Sequence, residues 1–92
     1  MKIVVNRCFG GFSLSKKAYE FLGLTWDGYG YNKYRDEDWR TAPELVECVE
    51  KLGPEANGRF SNLEVVEIPD DVKWEINDYD GMETIHERHR SW

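Results

Sequence analysis

Apolar positions along the chain change period several times, and each change marks an element. Ile3-Val4-Val5 is a β-branched run with no helical repeat, and it ends at Gly10-Gly11, which reads as a buried strand closed by a tight turn. Leu14, Ala18, Phe21 and Leu22 then fall at helical spacing with Lys16, Lys17 and Glu20 between them, predicting a short helix over 14–22. Ser13 or Ser15 can cap its start, and Gly23 suits the left-handed position after its end. Residues 25–40 lose all period, and a connection of that length in a small domain is either functional or disordered. Order returns at Thr41-Ala42-Pro43-Glu44, a Thr-x-x-Glu capping box, followed by Leu45, Val46, Val49 and Leu52 on one stripe and stopped by Gly53-Pro54. After a polar turn at 55–58, residues 63–68 read as a strand ended by Pro69-Asp70-Asp71. Val72, Trp74 and Ile76 alternate with Lys73, Glu75 and Asn77, the period of a strand with one wet face. Asp80-Gly81 is a two-residue hairpin turn, so residues 82–87 return as a fourth strand; the competing reading is a terminal helix on Met82, Ile85 and His89.

These elements predict an α+β fold, a small two-layer domain of three to four mostly antiparallel strands with two helices on one face. The 92 residues suffice for one core, so the whole span 1–92 reads as a single domain with a long aromatic and acidic loop at 25–40. The partner of the first strand cannot be assigned, because the other strands lie far along the chain. Twelve Lys and Arg against eighteen Asp and Glu leave a formal charge of −6, which disfavours duplex nucleic acid and anionic membranes as direct partners. Two cysteines, Cys8 and Cys48, with no apolar leader and no long hydrophobic stretch, predict reduced thiols in the cytoplasm and no membrane partner.

Candidate chemistry is sparse. Gly10-Gly11 after a strand can cradle an anion, yet it matches neither phosphate-loop pattern, and a closely packed turn is the simpler account. Cys8 beside Arg7 is a candidate nucleophile with His86 or His89 as base, ranked below a structural cysteine. His86-x-x-His89 aligns two imidazoles only on a helix, whereas the favoured strand points them apart; no metal and no cofactor is expected. Trp26, Tyr29, Tyr31, Tyr34 and Trp39, flanked by Asp27, Asp36, Glu37 and Asp38, have the composition of a protein contact surface, with two or three of the rings expected to seal the core. Interleaved Lys33, Arg35, Lys51 and Lys73 dilute any carboxylate track that would mimic nucleic acid.

The stretches V-V-N-R-C-F-G-G-F, V-V-E-I-P-D-D-V-K-W-E-I and Y-D-G-M-E-T-I-H-E-R-H-R-S-W together resemble a group of small, functionally uncharacterised proteins common in phage and prophage genomes. The resemblance leaves out the loop at 25–40 and implies a setting, not a reaction: a viral accessory protein in the host cytoplasm, acting on host or defence machinery. The leading expectation is a non-enzymatic binding protein that occupies or inhibits a larger macromolecule through Trp26, Tyr29, Tyr31, Tyr34, Asp36, Glu37, Asp38 and Trp39. The alternative is a binder or sponge for a small nucleotide-like anion, held by Arg7, Gly10, Gly11, Arg88 and Arg90. An enzyme using Cys8 ranks last, and a homodimer through the hairpin edge or Trp92 stays open.

Overall fold

The computed structural model describes residues 1–26, 28 and 32–87. Six regular elements follow one another: β1 (Lys2–Asn6), α1 (Lys16–Leu22), α2 (Pro43–Leu52), β2 (Leu63–Glu67), β3 (Trp74–Tyr79) and β4 (Met82–Glu87). Short 3₁₀ turns lie at Lys33–Arg35, Glu37–Trp39 and Gly53–Ala56. The α+β class and the antiparallel strands are those the hydrophobic pattern predicts.

The four strands form two antiparallel ribbons. β1 finds its partner in β2, running from Lys2 opposite Glu67 to Asn6 opposite Leu63, with both helices in the connection. β3 and β4 form the predicted hairpin, Tyr79 opposite Met82, and Asp80 and Gly81 both take positive φ (52° and 91°), as a type I′ turn requires.

β1 divides the core. Val4 joins Leu14, Ala18, Tyr19, Leu45, Cys48, Val49 and Leu63 in a cluster on the helical side. Ile3 and Val5 face the opposite way and pack with Ile68 and Ile85, backed by Trp74 and Ile76 from the hairpin and by Val72 just before it. The period-2 alternation of side chains thus makes a three-residue apolar run serve two faces at once. This explains why β1 shows no polar alternation.

Both helices start differently in detail. Ser15, not Ser13, caps α1: its Oγ accepts from the Ala18 N–H at 3.0 Å, and Gly23 ends the helix in the left-handed conformation. The Thr41-x-x-Glu44 capping box does not form. α2 begins one residue later, with Ala42 at the cap position and Pro43 in the first turn, and the Glu44 carboxylate accepts from the Tyr34 hydroxyl at 3.2 Å instead. α2 buries Leu45, Val46, Cys48 and Val49. Cys48, whose place beside Val49 predicts the edge of the core, is wholly enclosed.

Among the described residues, no second strand is hydrogen-bonded to the other edge of β1. Odd residues pair with β2, as the Arg7 N–H donating to the Asn62 carbonyl illustrates, so Val4 and Asn6 turn their peptide groups away. Arg40 and Glu83 take the place of the missing strand. The Val4 N–H donates to the Arg40 carbonyl at 2.9 Å, and the Val4 carbonyl accepts from Arg40 Nη1 at 3.2 Å. The Asn6 N–H donates to Glu83 Oε1 at 2.8 Å. Arg40 and Glu83 are themselves joined by two parallel bonds, Nη1 to Oε1 at 2.6 Å and Nη2 to Oε2 at 2.7 Å, with side chains only 2% and 5% exposed.

Candidate functional site

The aromatic and acidic segment is built on that buried pair. Arg40 Nε donates to the Tyr34 carbonyl at 2.9 Å and Nη2 to the Arg35 carbonyl at 2.8 Å, so one guanidinium clasps the 3₁₀ turn at Lys33–Arg35 from below. Its planar face lies 3.8 Å from the centre of the Phe12 ring. Asn32 caps the same turn, accepting from the Tyr34 N–H at 2.8 Å, and the Glu37 carboxylate accepts from the Ile76 N–H on the outer edge of β3 at 2.7 Å. Residues 32–40 are therefore fixed at both ends and at the middle.

The rings of this segment have separate roles. Tyr34 is buried, and burial, then the neighbouring Glu44 carboxylate, raises its phenol above the ordinary value of 10.0. Trp39 stands at the surface, 39% exposed, edge-on to Tyr34 with centroids 6.0 Å apart, and the Lys33 ammonium sits 4.4 Å over its ring. Asp36 and Asp38 are exposed on either side of Glu37. Trp26 lies apart, edge-on to Tyr19 at 5.0 Å. Tyr29, Tyr31 and Asp27 lie outside the described residues, as do Arg88, His89, Arg90 and Trp92.

The glycine turn is a packing device. A Cβ on Gly81 would stand 2.4 Å from the Gly11 nitrogen and 2.5 Å from the Phe9 carbonyl, so the hairpin tip presses directly on the backbone of residues 9–11. A Cβ on Gly10 would stand 2.1 Å from Phe60. Asn6 holds the arrangement together: its Nδ2 donates to the carbonyls of Cys8 and Gly81, both at 2.6 Å, and its Oδ1 accepts from the Asn62 N–H at 2.8 Å. A buried amide with both N–H groups and its oxygen engaged specifies one geometry. Arg7 is drawn to the hairpin and β2, donating to the Glu83 carbonyl at 3.0 Å and pairing with Glu64 at 3.4 Å.

On the far side of Gly10 lies a cleft of about 440 Å³, walled by Trp26 and Phe60 and lined also by Ser13, Asn57 and Arg59. Phe60 is 62% exposed although its backbone is pinned against Gly10, and Arg59 lies 5.2 Å from its ring. Phe60 and Arg59 carry no sequence signal, because they follow the polar turn at 55–58 in a stretch with no period. Asn6, Arg40 and Glu83 carry none either, since their roles depend on contacts between residues up to 77 apart.

The remaining candidates stay separate. Cys8 is half-buried, and His86 is hydrogen-bonded through Nε2 to Thr84 Oγ1 at 2.8 Å; no bond joins Cys8 to His86 among the described residues. Burial pushes the Cys48 thiol up to about 11, which keeps it protonated. No cluster of three or more metal-ligating side chains occurs among the described residues, and no helix among them is long and apolar enough to cross a membrane. Comparison of the chain with protein-family models, with curated proteins and with solved structures gives no match.

Proposed function

We propose that this chain is a non-enzymatic accessory binding protein that occupies or inhibits a larger protein of the host or its defences, presenting the segment around Trp39 as its contact surface. The observation that carries this reading is the clasp of Arg40. A buried guanidinium, two 3₁₀ turns and a carboxylate on a strand edge hold an exposed tryptophan and two exposed aspartates in one arrangement. Ordering a loop before binding removes an entropic penalty from association, and aromatic anchors in a polar rim are the usual centre of a protein contact. The engagement of Arg7 by Glu64 and by a strand carbonyl favours this surface over an anion site centred on Arg7. The viral setting rests on the resemblance of the two ends and the middle strand pair to small uncharacterised proteins common in phage and prophage genomes.

The test is affinity capture from a host extract followed by native mass spectrometry. A companion subunit should be recovered with the wild-type chain, lost with Trp39→Ala and with Asp36→Lys/Asp38→Lys, and kept with substitutions outside the segment. Loss of the companion only when the circular dichroism spectrum also changes would refute a contact role for these residues.

A further inference from the structure

A second site is legible in the cleft beside Gly10, and it asks for different chemistry from the Trp39 surface. Two aromatic residues line it, one braced at its ring and one anchored at its backbone. Trp26 is braced edge-on by Tyr19, and Phe60 is set by the contact of its own backbone and Cβ with Gly10, where no larger residue fits. The braced Trp26 ring offers a flat face at little cost in side-chain freedom, and Phe60 adds a second exposed ring on a fixed backbone.

The polar lining is equally specific. Among the described residues that line the cleft, Arg59 is the only charged one, and no ion pair to it occurs among the described residues, in a chain whose net charge is −6. An unneutralised guanidinium beside a phenyl ring is a donor for an anionic group. Asn57 uses its Oδ1 to accept from the Leu63 N–H at 2.7 Å, which turns its amide N–H₂ end to the role of donor, and Ser13 adds a hydroxyl from a residue 6% exposed. The volume, about 440 Å³, lies within the range of small-molecule sites, about 300–1,000 Å³.

From these features we infer that the cleft binds a small molecule made of a planar aromatic ring carrying one anionic group, the ring between Trp26 and Phe60 and the anion on Arg59. A nucleoside monophosphate and an aryl carboxylate share this chemistry, and their relative affinity tells which source the site is built for. The site shares no residue with the Trp39 surface and stands or falls separately.

Isothermal titration calorimetry of the whole chain decides it, with adenosine monophosphate and indole-3-acetate as the two ring-plus-anion probes and adenosine and inorganic phosphate as the separated halves. At least one ring-plus-anion probe should bind saturably and more tightly than either half alone. Arg59→Ala and Phe60→Ala should each weaken it by about tenfold, the scale of one charge-assisted bond or one stacked ring. Trp39→Ala should leave it unchanged. Tighter binding of the monophosphate assigns a phosphate site, and tighter binding of the acetate a carboxylate site. The inference is overturned if neither probe binds up to millimolar concentration, if a separated half binds as well as the whole, or if either Arg59→Ala or Phe60→Ala leaves the affinity unchanged.

Discussion

Removal of the Glu83 carboxylate should be among the most damaging single changes in this protein. Glu83→Ala deletes both bonds to Arg40 and the acceptor of the Asn6 N–H, and it strands a guanidinium that is 2% exposed. An unpaired buried charge costs about 3–5 kcal/mol, a large part of the roughly 5–15 kcal/mol that stabilises an ordinary domain. The sharper test is the double variant Arg40→Met/Glu83→Leu. In many proteins an apolar replacement of a buried ion pair is neutral or stabilising, because it removes the desolvation penalty of both ions. Here the pair also serves backbone groups: the Asn6 N–H and the carbonyls of Val4, Tyr34 and Arg35. Each such group left dry and unpartnered costs about 1–3 kcal/mol. The double variant should therefore remain at least about 2 kcal/mol less stable than the wild type even if some of these groups reach water. Urea unfolding followed by far-ultraviolet circular dichroism measures this directly, with an unchanged m-value as the check on two-state behaviour. A double variant within about 0.5 kcal/mol of the wild type would refute the claim that the ion pair stands in for a strand on β1.

Two further outcomes follow from the same structure. Gly81→Ala and Gly23→Ala both place a side chain at positive φ, a strain of about 1–2 kcal/mol, but only at Gly81 does the new Cβ meet backbone, so urea midpoints should fall further for Gly81→Ala. Equal losses would mean that the hairpin tip does not press on the glycine turn. Alkaline stability should decline from about pH 9 upward: the Cys48 thiol is raised to about 11 and the Tyr34 phenol above its ordinary value, so the folded state holds these protons while the unfolded chain releases them. The stabilisation is complete below the unfolded values and lost as pH rises through the folded ones. Cys48→Val/Tyr34→Phe should flatten the decline in thermal melts between pH 8 and 11, and an undiminished slope would assign it to other groups.

Local chemistry made some elements legible. Asp80-Gly81 announced a type I′ hairpin because few other residue pairs tolerate positive φ twice in succession, and Gly23 ended a helix for the same reason. The stripe of Leu45, Val46 and Val49 announced α2, although its capping box failed once Pro43 took the first turn and Tyr34 engaged Glu44. Tyr34 itself shows the limit of composition: its neighbour Trp39 has the same aromatic character, yet one ring is buried and the other stands at the surface.

What the sequence determined by itself is whatever depends on neighbours within a few residues: the strands and helices, the hairpin, the acidic balance, the presence of an aromatic and acidic segment. Only the tertiary structure decided that β1 pairs with β2, that Arg40 and Glu83 complete its other edge, and that Phe60 and Trp26 line one cleft. The reason is physical. Helical and strand periods are local, whereas a buried charge is tolerable only where a distant partner meets it, and no period in the chain encodes that meeting.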